Sequence, residues 1–314
     1  MSANQPLTPR GAVVLVTGAA GFIGSHLVDA LLALGYRVRA LDNLTAGRRE
    51  NLNPAAEFIH GDIRDLESIR SAFAGADCVF HAAALPRVML SIERPLETHL
   101  TNVVGTLNVL IAAREAGVRR LVYSGSSSVY GDQSTLPLVE TMTPNPLNPY
   151  ALQKLAGEQY SRMFHRLYGL QTVTLRYFNV YGPRMAVEGA YVTVMSVFMR
   201  ARREGRPLPI HGDGEQTRDF THVSDVVRAN IAAMQTADAD GRALNVGSGR
   251  ALSVNRIAAL FGGSRTYLPL RPGDARHTLA DLSAVRRSLG WAPQADTEAG
   301  VREVIREAGL TAAD

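Results

Sequence analysis

Tyr150 and Lys154 stand four residues apart in Tyr150-Ala151-Leu152-Gln153-Lys154. On a helix that spacing sets a phenol and an ammonium on one face, a turn apart. Lys154 is the single lysine among 33 basic residues; the other 32 are arginine. Arginine carries a planar, permanently charged fork, lysine a compact ammonium on a flexible stem. A position that keeps the compact cation in such a chain points to a chemical requirement. One leftover lysine is also what chance supplies, and Tyr-x-x-x-Lys is a short pattern. Its meaning rests on its surroundings.

A second constellation lies near the start, in Thr17-Gly18-Ala19-Ala20-Gly21-Phe22-Ile23-Gly24. It follows a short apolar run, Ala12 to Val16, and opens a segment with helical spacing, Phe22 to Leu34. Glycines allow a tight turn there and let backbone N–H groups meet a pyrophosphate at the positive end of the helix. The spacing is G-x-x-G-x-x-G, a variant of the dinucleotide fingerprint. Asp42 ends the next strand-like run, followed by Asn43. A carboxylate at that position accepts both ribose hydroxyls and repels a 2′-phosphate, which favours NAD over NADP. Further along, Gly61-Asp62-Ile63 follows a third strand and stands where an adenine edge would lie, unless Asp62 caps the following helix. His81-Ala82-Ala83-Ala84 ends a fourth strand with small side chains that leave room for a flat cofactor. His81 itself reads as a hydrogen-bonded structural histidine.

The elements needed to position these groups form a regular series. Val38-Leu41, Phe58-His60, Cys78-His81, Leu121-Ser124 and Thr172-Arg176 read as strands. Leu66-Phe73, Ile92-Ala116 and Tyr150-Tyr168 read as helices. Such alternation predicts an α/β fold, a doubly wound parallel sheet with helices on both faces. Ligands gather at the carboxyl ends of the strands in that architecture. The Pro-rich stretch Thr143 to Pro149 delivers the chain to the helix carrying Tyr150 and Lys154. After Tyr181-Gly182-Pro183 the elements shorten, with a hairpin expected around His211-Gly212-Asp213-Gly214. A helix over Val223-Met234 and a strand over Ala243-Val246 are placed to return to the sheet. The expected organisation is a Rossmann-type domain over residues 1–178, rejoined by 221–249, and a smaller mixed α/β substrate-binding domain over 179–220 and 250–314.

Composition narrows the function classes. The hydrophobic content of 46% and charged content of 20% suit a globular protein, and the net charge is only +4. The arginine pairs are scattered without aromatic interleaving, so nucleic-acid binding is not expected and a small anionic ligand is. One cysteine, Cys78, excludes an internal disulfide framework or a cysteine-rich zinc site, and no metal site is expected. Cys78 sits in an apolar run and reads as a buried strand thiol. The polar leader Met1 to Arg10 and the lack of a ~20-residue apolar run lead to the expectation of a cytoplasmic protein with no membrane partner.

Taken together, these residues resemble the extended short-chain dehydrogenase/reductase family, in particular its nucleotide-sugar epimerases and dehydratases. The resemblance runs from about Val13 to Trp291. It rests on the glycine turn, Asp42, His81-Ala84, Asn102, Ser124-Gly131, Tyr150-x-x-x-Lys154, Tyr177-Phe178-Asn179, Arg218-Asp219-Phe220 and Arg271-Pro272-Gly273-Asp274. It implies that Tyr150 is the general base and acid on a sugar hydroxyl. It implies too that Lys154 binds the nicotinamide ribose and depresses the phenol, which otherwise titrates near ~10. Ser126 would hydrogen-bond the reacting oxygen, with Ser128 beside it; either serine is otherwise a strand-end turn former. Ala82, Ala83, Asn102, Ser124 and Tyr177 fall at cofactor-contacting or structural positions. Asn179, Arg218, Arg271 and Asp274 fall at positions that contact the nucleotide or its diphosphate, where arginine forks suit phosphate.

The resemblance also bears on the reaction. Related 4,6-dehydratases carry an acidic pair where this chain has Ser127 and Ser128, so elimination is disfavoured. Ser126, Tyr150 and Lys154 suffice for NAD-dependent epimerisation at C4 of a UDP-sugar through a transient 4-keto sugar. Gly189-Ala190-Tyr191, with Val192 beside it, and Arg276-His277-Thr278 resemble epimerases of UDP-N-acetylhexosamines. Hexose-restricted relatives often have a bulky tyrosine at the Thr278 position. UDP-GlcNAc/UDP-GalNAc and UDP-Glc/UDP-Gal are therefore the expected substrates. Arg87 is a departure, since many relatives have a small polar residue there. It leaves open a uronate 4-epimerase, as well as another NAD-linked nucleotide-sugar dehydratase, decarboxylase or reductase. A non-catalytic NAD-binding regulator is the rival from another class, although it would not need the Tyr/Lys pair. Relatives usually dimerise through two long helices, so a homodimer is expected through Ile92-Ala116 and Tyr150-Tyr168.

Overall fold

A computed structural model of the chain describes residues 8–186, 193–236, 241–270 and 275–313. Strand β1 (Val13–Thr17) leads through the glycine turn into α1 (Phe22–Ala33), and β2 (Arg37–Asp42) and β3 (Glu57–His60) follow. After α2 (Leu66–Ile69) the chain crosses back to β4 (Cys78–His81). Next come α3 (Val88–Glu93), α4 (Pro95–His99), a π turn over Leu100–Val104 and α5 (Gly105–Glu115). Then β5 (Arg120–Ser126), the long α6 (Pro149–Tyr168) and β6 (Gln171–Tyr177) complete the regular series.

The later elements are β7 (Val180–Tyr181), α7 (Val194–Arg203), β8 (Leu208–His211), β9 (Thr217–Asp219), β10 (Thr221–His222) and α8 (Val223–Gln235). They continue with β11 (Arg242–Val246), β12 (Ala251–Ser253), α9 (Val254–Phe261), β13 (Arg265–Leu268), α10 (Ser283–Leu289) and α11 (Thr297–Glu307).

The main sheet has seven parallel strands among the described residues, in the order β11-β6-β5-β4-β1-β2-β3. Strand order reverses between β1 and β4, where Thr17 pairs with His81, and that reversal opens a crevice at their carboxyl ends. Successive side chains of a strand point to opposite faces. Val14 and Val16 accordingly join a cluster with Leu27 and Val28 of α1 and Val226 and Ala229 of α8. Val13 and Leu15 join another with Val109 and Leu110 of α5 and Phe164 of α6. Helices thus cover both faces, as the alternation predicts.

Two details differ from the expectation. The helix expected over Ile92-Ala116 starts earlier and is broken, because Pro95 has no N–H and pushes Arg94 out of the helical region, to φ −131° and ψ 63°. The segment after His211 makes no hairpin: β8 pairs in parallel with β13, and β9 pairs antiparallel with β12. Its turn docks instead on the start of α9, where Asn255 N–H donates to the Gly214 carbonyl. The core cluster of α1 and α8 also takes in Ala280, Leu282, Val285, Leu289 and Trp291. A third cluster gathers Phe198 and Met199 of α7, Leu208 and Ile210 of β8, Ile257 and Phe261 of α9, and Val301 and Ile305 of α11.

Cys78 is a buried free thiol, its pKa pushed up to about 12 chiefly by burial. Among the described residues no helix is long and apolar enough to cross a membrane, and no cluster of ligands is arranged for a metal ion.

Candidate active site

A cavity of about 320 Å³ opens at the carboxyl ends of β1, β2, β4 and β5. One end is the glycine turn. Gly18 has φ +68°, and a Cβ there would stand 2.6 Å from the Ala83 nitrogen, so only glycine permits this approach of β1 to β4. Gly21 begins α1 without a side-chain cap, which leaves the helix's first turn open toward the cavity lined by Gly18, Gly21, Phe22, Ile23 and Gly24. Asp42 stands beside this turn: Oδ2 accepts the Ala20 N–H at 2.9 Å and Oδ1 the Leu44 N–H at 2.7 Å. Each oxygen keeps a lone pair for a further donor.

Asn43, Ile63 and Arg64 line the same end. Asp62 does not cap α2; Asp65 does. Asp62 accepts from Asn43 Nδ2 at 3.1 Å and from Arg64, whose hydrogen bonds hold its carboxyl down at about 2. His81 is buried between the hydroxyls of Thr17, 2.8 Å away, and Thr106, 3.0 Å away, and burial lowers its pKa to about 3. It is a neutral structural histidine.

The other end of the cavity holds Ala82, Ala83, Ser124, Tyr150, Lys154 and Tyr177. Asn148 caps α6, Pro149 fills its first turn, and Tyr150 follows with its N–H on Ser91 Oγ at 3.0 Å. One turn later Lys154, only 4% exposed, extends Nζ to the Ser124 carbonyl at 2.9 Å and faces the Tyr123 ring at 5.1 Å. Burial pulls its pKa down to about 8. Helix α6 is fixed against β6 by the buried pair Glu158–Arg176, with contacts of 2.7 and 2.9 Å.

The fold brings Ser126 to Tyr150. The Ser126 side chain acts on the phenol, and its oxygen accepts Ser128 Oγ–H at 2.8 Å and the Ser128 N–H at 3.2 Å. Burial raises the Tyr150 pKa, and the Ser126 side chain draws it partly back. Burial is the larger of the two influences on the phenol.

Asn102 lies off the cavity. Its amide is used on both backbone groups of Leu85 and on Gln153 Oε1, and so holds the wall beyond Ala84 against α6. Ser124 Oγ meets Tyr177 OH at 3.3 Å, and Tyr177 donates to Asn230. A separate group joins Asn179, Arg218 and Thr278. Asn179 Nδ2 donates to the Asp219 carbonyl and to Thr278 Oγ1, and Arg218 donates to the carbonyls of Thr217 and Arg276. Tyr191, Val192, Arg271 and Asp274 lie outside the described residues.

The family described as NAD dependent epimerase/dehydratase matches residues 14–247. The chain belongs to that family. The UDP-glucose 4-epimerase of Mycolicibacterium smegmatis is 40% identical over 305 residues, covering 93% of this chain and 96% of its own. The crystal structure of a UDP-glucose 4-epimerase from Thermotoga maritima with UDP-glucose superposes with a TM-score of 0.90 and 38% identity, over 94% of this chain and 99% of that one. A UDP-N-acetylglucosamine 4-epimerase from Methanobrevibacter ruminantium, in complex with UDP-N-acetylmuramic acid, gives 0.89 and 37% over 95% and 98%. These family members share the chain's parallel-sheet architecture over nearly its whole length.

For a family that uses NAD, the groups lining this cavity fit. The open helix end suits a pyrophosphate, Asp42 a ribose, and the small Ala82-Ala83 wall a flat ring. Sequence reasoning missed Arg64, Thr193 and the Met185-Ala186 wall of the cavity. An arginine two residues after Asp62 was a readable signal. The Met185 wall was not, because it arrives from the third cluster.

Proposed function

We propose that this chain interconverts C4 epimers of a UDP-sugar, with UDP-GlcNAc/UDP-GalNAc and UDP-Glc/UDP-Gal as its pairs. The observation that carries the proposal is that Tyr150 and Lys154 stand one turn apart on α6 and line together the cavity that the glycine turn opens. In this reading Gly18, Gly21, Phe22, Ile23, Gly24, Asp42, Asn43 and Ile63 seat the adenosine half of NAD. Ala82, Ala83, Ser124, Lys154 and Tyr177 seat the nicotinamide half. When bound, NAD supplies a reversible hydride acceptor at C4. Tyr150 would take the proton of the 4-hydroxyl, while Ser126, braced by Ser128, would hold the same oxygen. Tyr150 would return that proton when the 4-keto sugar is reduced on its other face. Lys154, one turn along α6 from Tyr150, is the cation that would favour the phenolate when the proton is taken.

Asn179, Arg218 and Thr278 would meet the nucleotide side of the substrate, with 179–220 and 250–314 as the substrate-binding part. Tyr191, Val192, Arg271 and Asp274 belong to that proposal by sequence position. Arg87 favours one alternative. It lines the cavity, and its guanidinium has no hydrogen-bond or ion-pair partner among the described residues. An uncompensated guanidinium there fits a uronate carboxylate.

We propose a cytoplasmic homodimer as its assembly. Leu96 (70% exposed) precedes the π turn, and Leu152 and Leu167 (57% and 66%) lie along α6, an apolar surface that a second copy would cover.

The decisive experiment incubates the purified protein with UDP-glucose and with UDP-GlcNAc, without added NAD, and follows the sugar H4 coupling by NMR. Interconversion of either pair is expected. If neither turns over in a protein shown to carry NAD, the proposal fails.

A further inference from the structure

Met185 and Ala186 form part of the wall of the same cavity that Gly18 and Phe22 line, and the residues just before them are tied to α1 at two points. Arg184 Nη1 lies 2.7 Å from Asp29 Oδ2, and His26 Nε2 donates to the Pro183 carbonyl at 2.9 Å. Both anchors stand on α1 within two turns of its cavity end. The His26 ring also meets Phe22 edge-on, with centroids 6.0 Å apart.

The backbone of this crossing is unusual. Gly182 has φ +147°, and a Cβ there would stand 2.6 Å from Val223 Cγ1. Arg184 has φ +63°, a left-handed conformation that residues other than glycine, asparagine and aspartate seldom adopt. Such a conformation persists where surrounding contacts hold it. Here they are the ion pair to Asp29 and the burial of Met185 in the third core cluster. The segment therefore spans from that cluster to α1, beside the end of the cavity.

We infer that residues 182–186 are a clasp that retains the dinucleotide, with His26, Asp29 and Arg184 as positioning residues outside the cavity. The inference rests on NAD occupying this cavity. A reaction that restores its hydride in every cycle gains from a cofactor that stays bound, whereas a net reductase must exchange it.

The test compares the wild-type holoenzyme with Asp29→Asn, Arg184→Gly and the charge-exchanged pair Asp29→Arg with Arg184→Asp. Glycine and aspartate both tolerate the left-handed backbone. NAD left on the protein is measured after timed dilution and ultrafiltration. Each single variant should lose NAD about fivefold faster, the ceiling for a partly exposed pair. The exchanged pair should return toward the wild-type rate, which a merely structural role would not produce. Single variants within twofold of wild type, or an exchanged pair no slower than the singles, would overturn the clasp while leaving the site intact. A wild type that neither holds nor takes up NAD would overturn the cavity assignment beneath it.

Discussion

Replacing Lys154 by methionine should make the cofactor-free protein more stable at neutral pH while crippling it as a catalyst. The ammonium is 4% exposed and has one hydrogen-bond acceptor, the Ser124 carbonyl, besides the Tyr123 ring. Its pKa falls from an ordinary 10.5 to about 8 because burial penalises the charged form. That fall corresponds to a cost of about 3 kcal/mol for holding the charge at pH 7. Methionine fills the same channel without a charge, and losing the bond to Ser124 costs about 1 kcal/mol. The variant should therefore gain roughly 2 kcal/mol at pH 7 from these two effects.

The sign of the pH dependence follows from the lowered pKa. Above pH 8 the folded state releases a proton that the unfolded chain holds until about 10.5, so wild-type stability rises through that window. The variant has no such proton, and its advantage should shrink by about 2.5 kcal/mol between pH 7 and 10. Urea unfolding of both cofactor-free proteins at pH 7, 8, 9 and 10 measures this difference directly, with other titrations cancelling. Turnover of the NAD-loaded variant should fall about 10²- to 10⁴-fold. A variant less stable at pH 7, or an advantage that does not change with pH, would refute the reading of Lys154 as a destabilised cation kept for chemistry.

Two further outcomes follow from the same geometry. Glu158→Gln leaves the Arg176 guanidinium buried without its counter-charge, which should cost about 3–5 kcal/mol, read as a lowered urea midpoint. Adding Arg176→Met should recover part of that loss; a double variant worse than the single would deny the pair its role in fixing α6. Arg87→Ser should raise KM for UDP-glucuronate at least about tenfold, as expected for a lost charged contact, with UDP-glucose little changed. Equal effects on both substrates would remove the uronate reading.

The amino-acid sequence by itself determined the strand–helix alternation, the dinucleotide turn with Asp42, and the pairing of Tyr150 with Lys154. All three are local: side-chain period, glycine placement and one helical turn act over a few residues, so spacing along the chain is enough to read them. Even the break at Pro95 was legible in principle, since a missing N–H is a property of the residue. Tertiary structure alone decided what each group touches. Ser126 reaches Tyr150 because β5 and α6 meet at the cleft, and Lys154 loses part of its basicity because α6 presses it beneath Ser124. Strand β8 joins β13 in place of its neighbour, and Arg184 finds Asp29 far along the chain. Those choices depend on which distant surfaces fit once the loops close, and no local period encodes that. The chemistry of the residues was readable from the start, whereas their pKa values and partners had to await the fold.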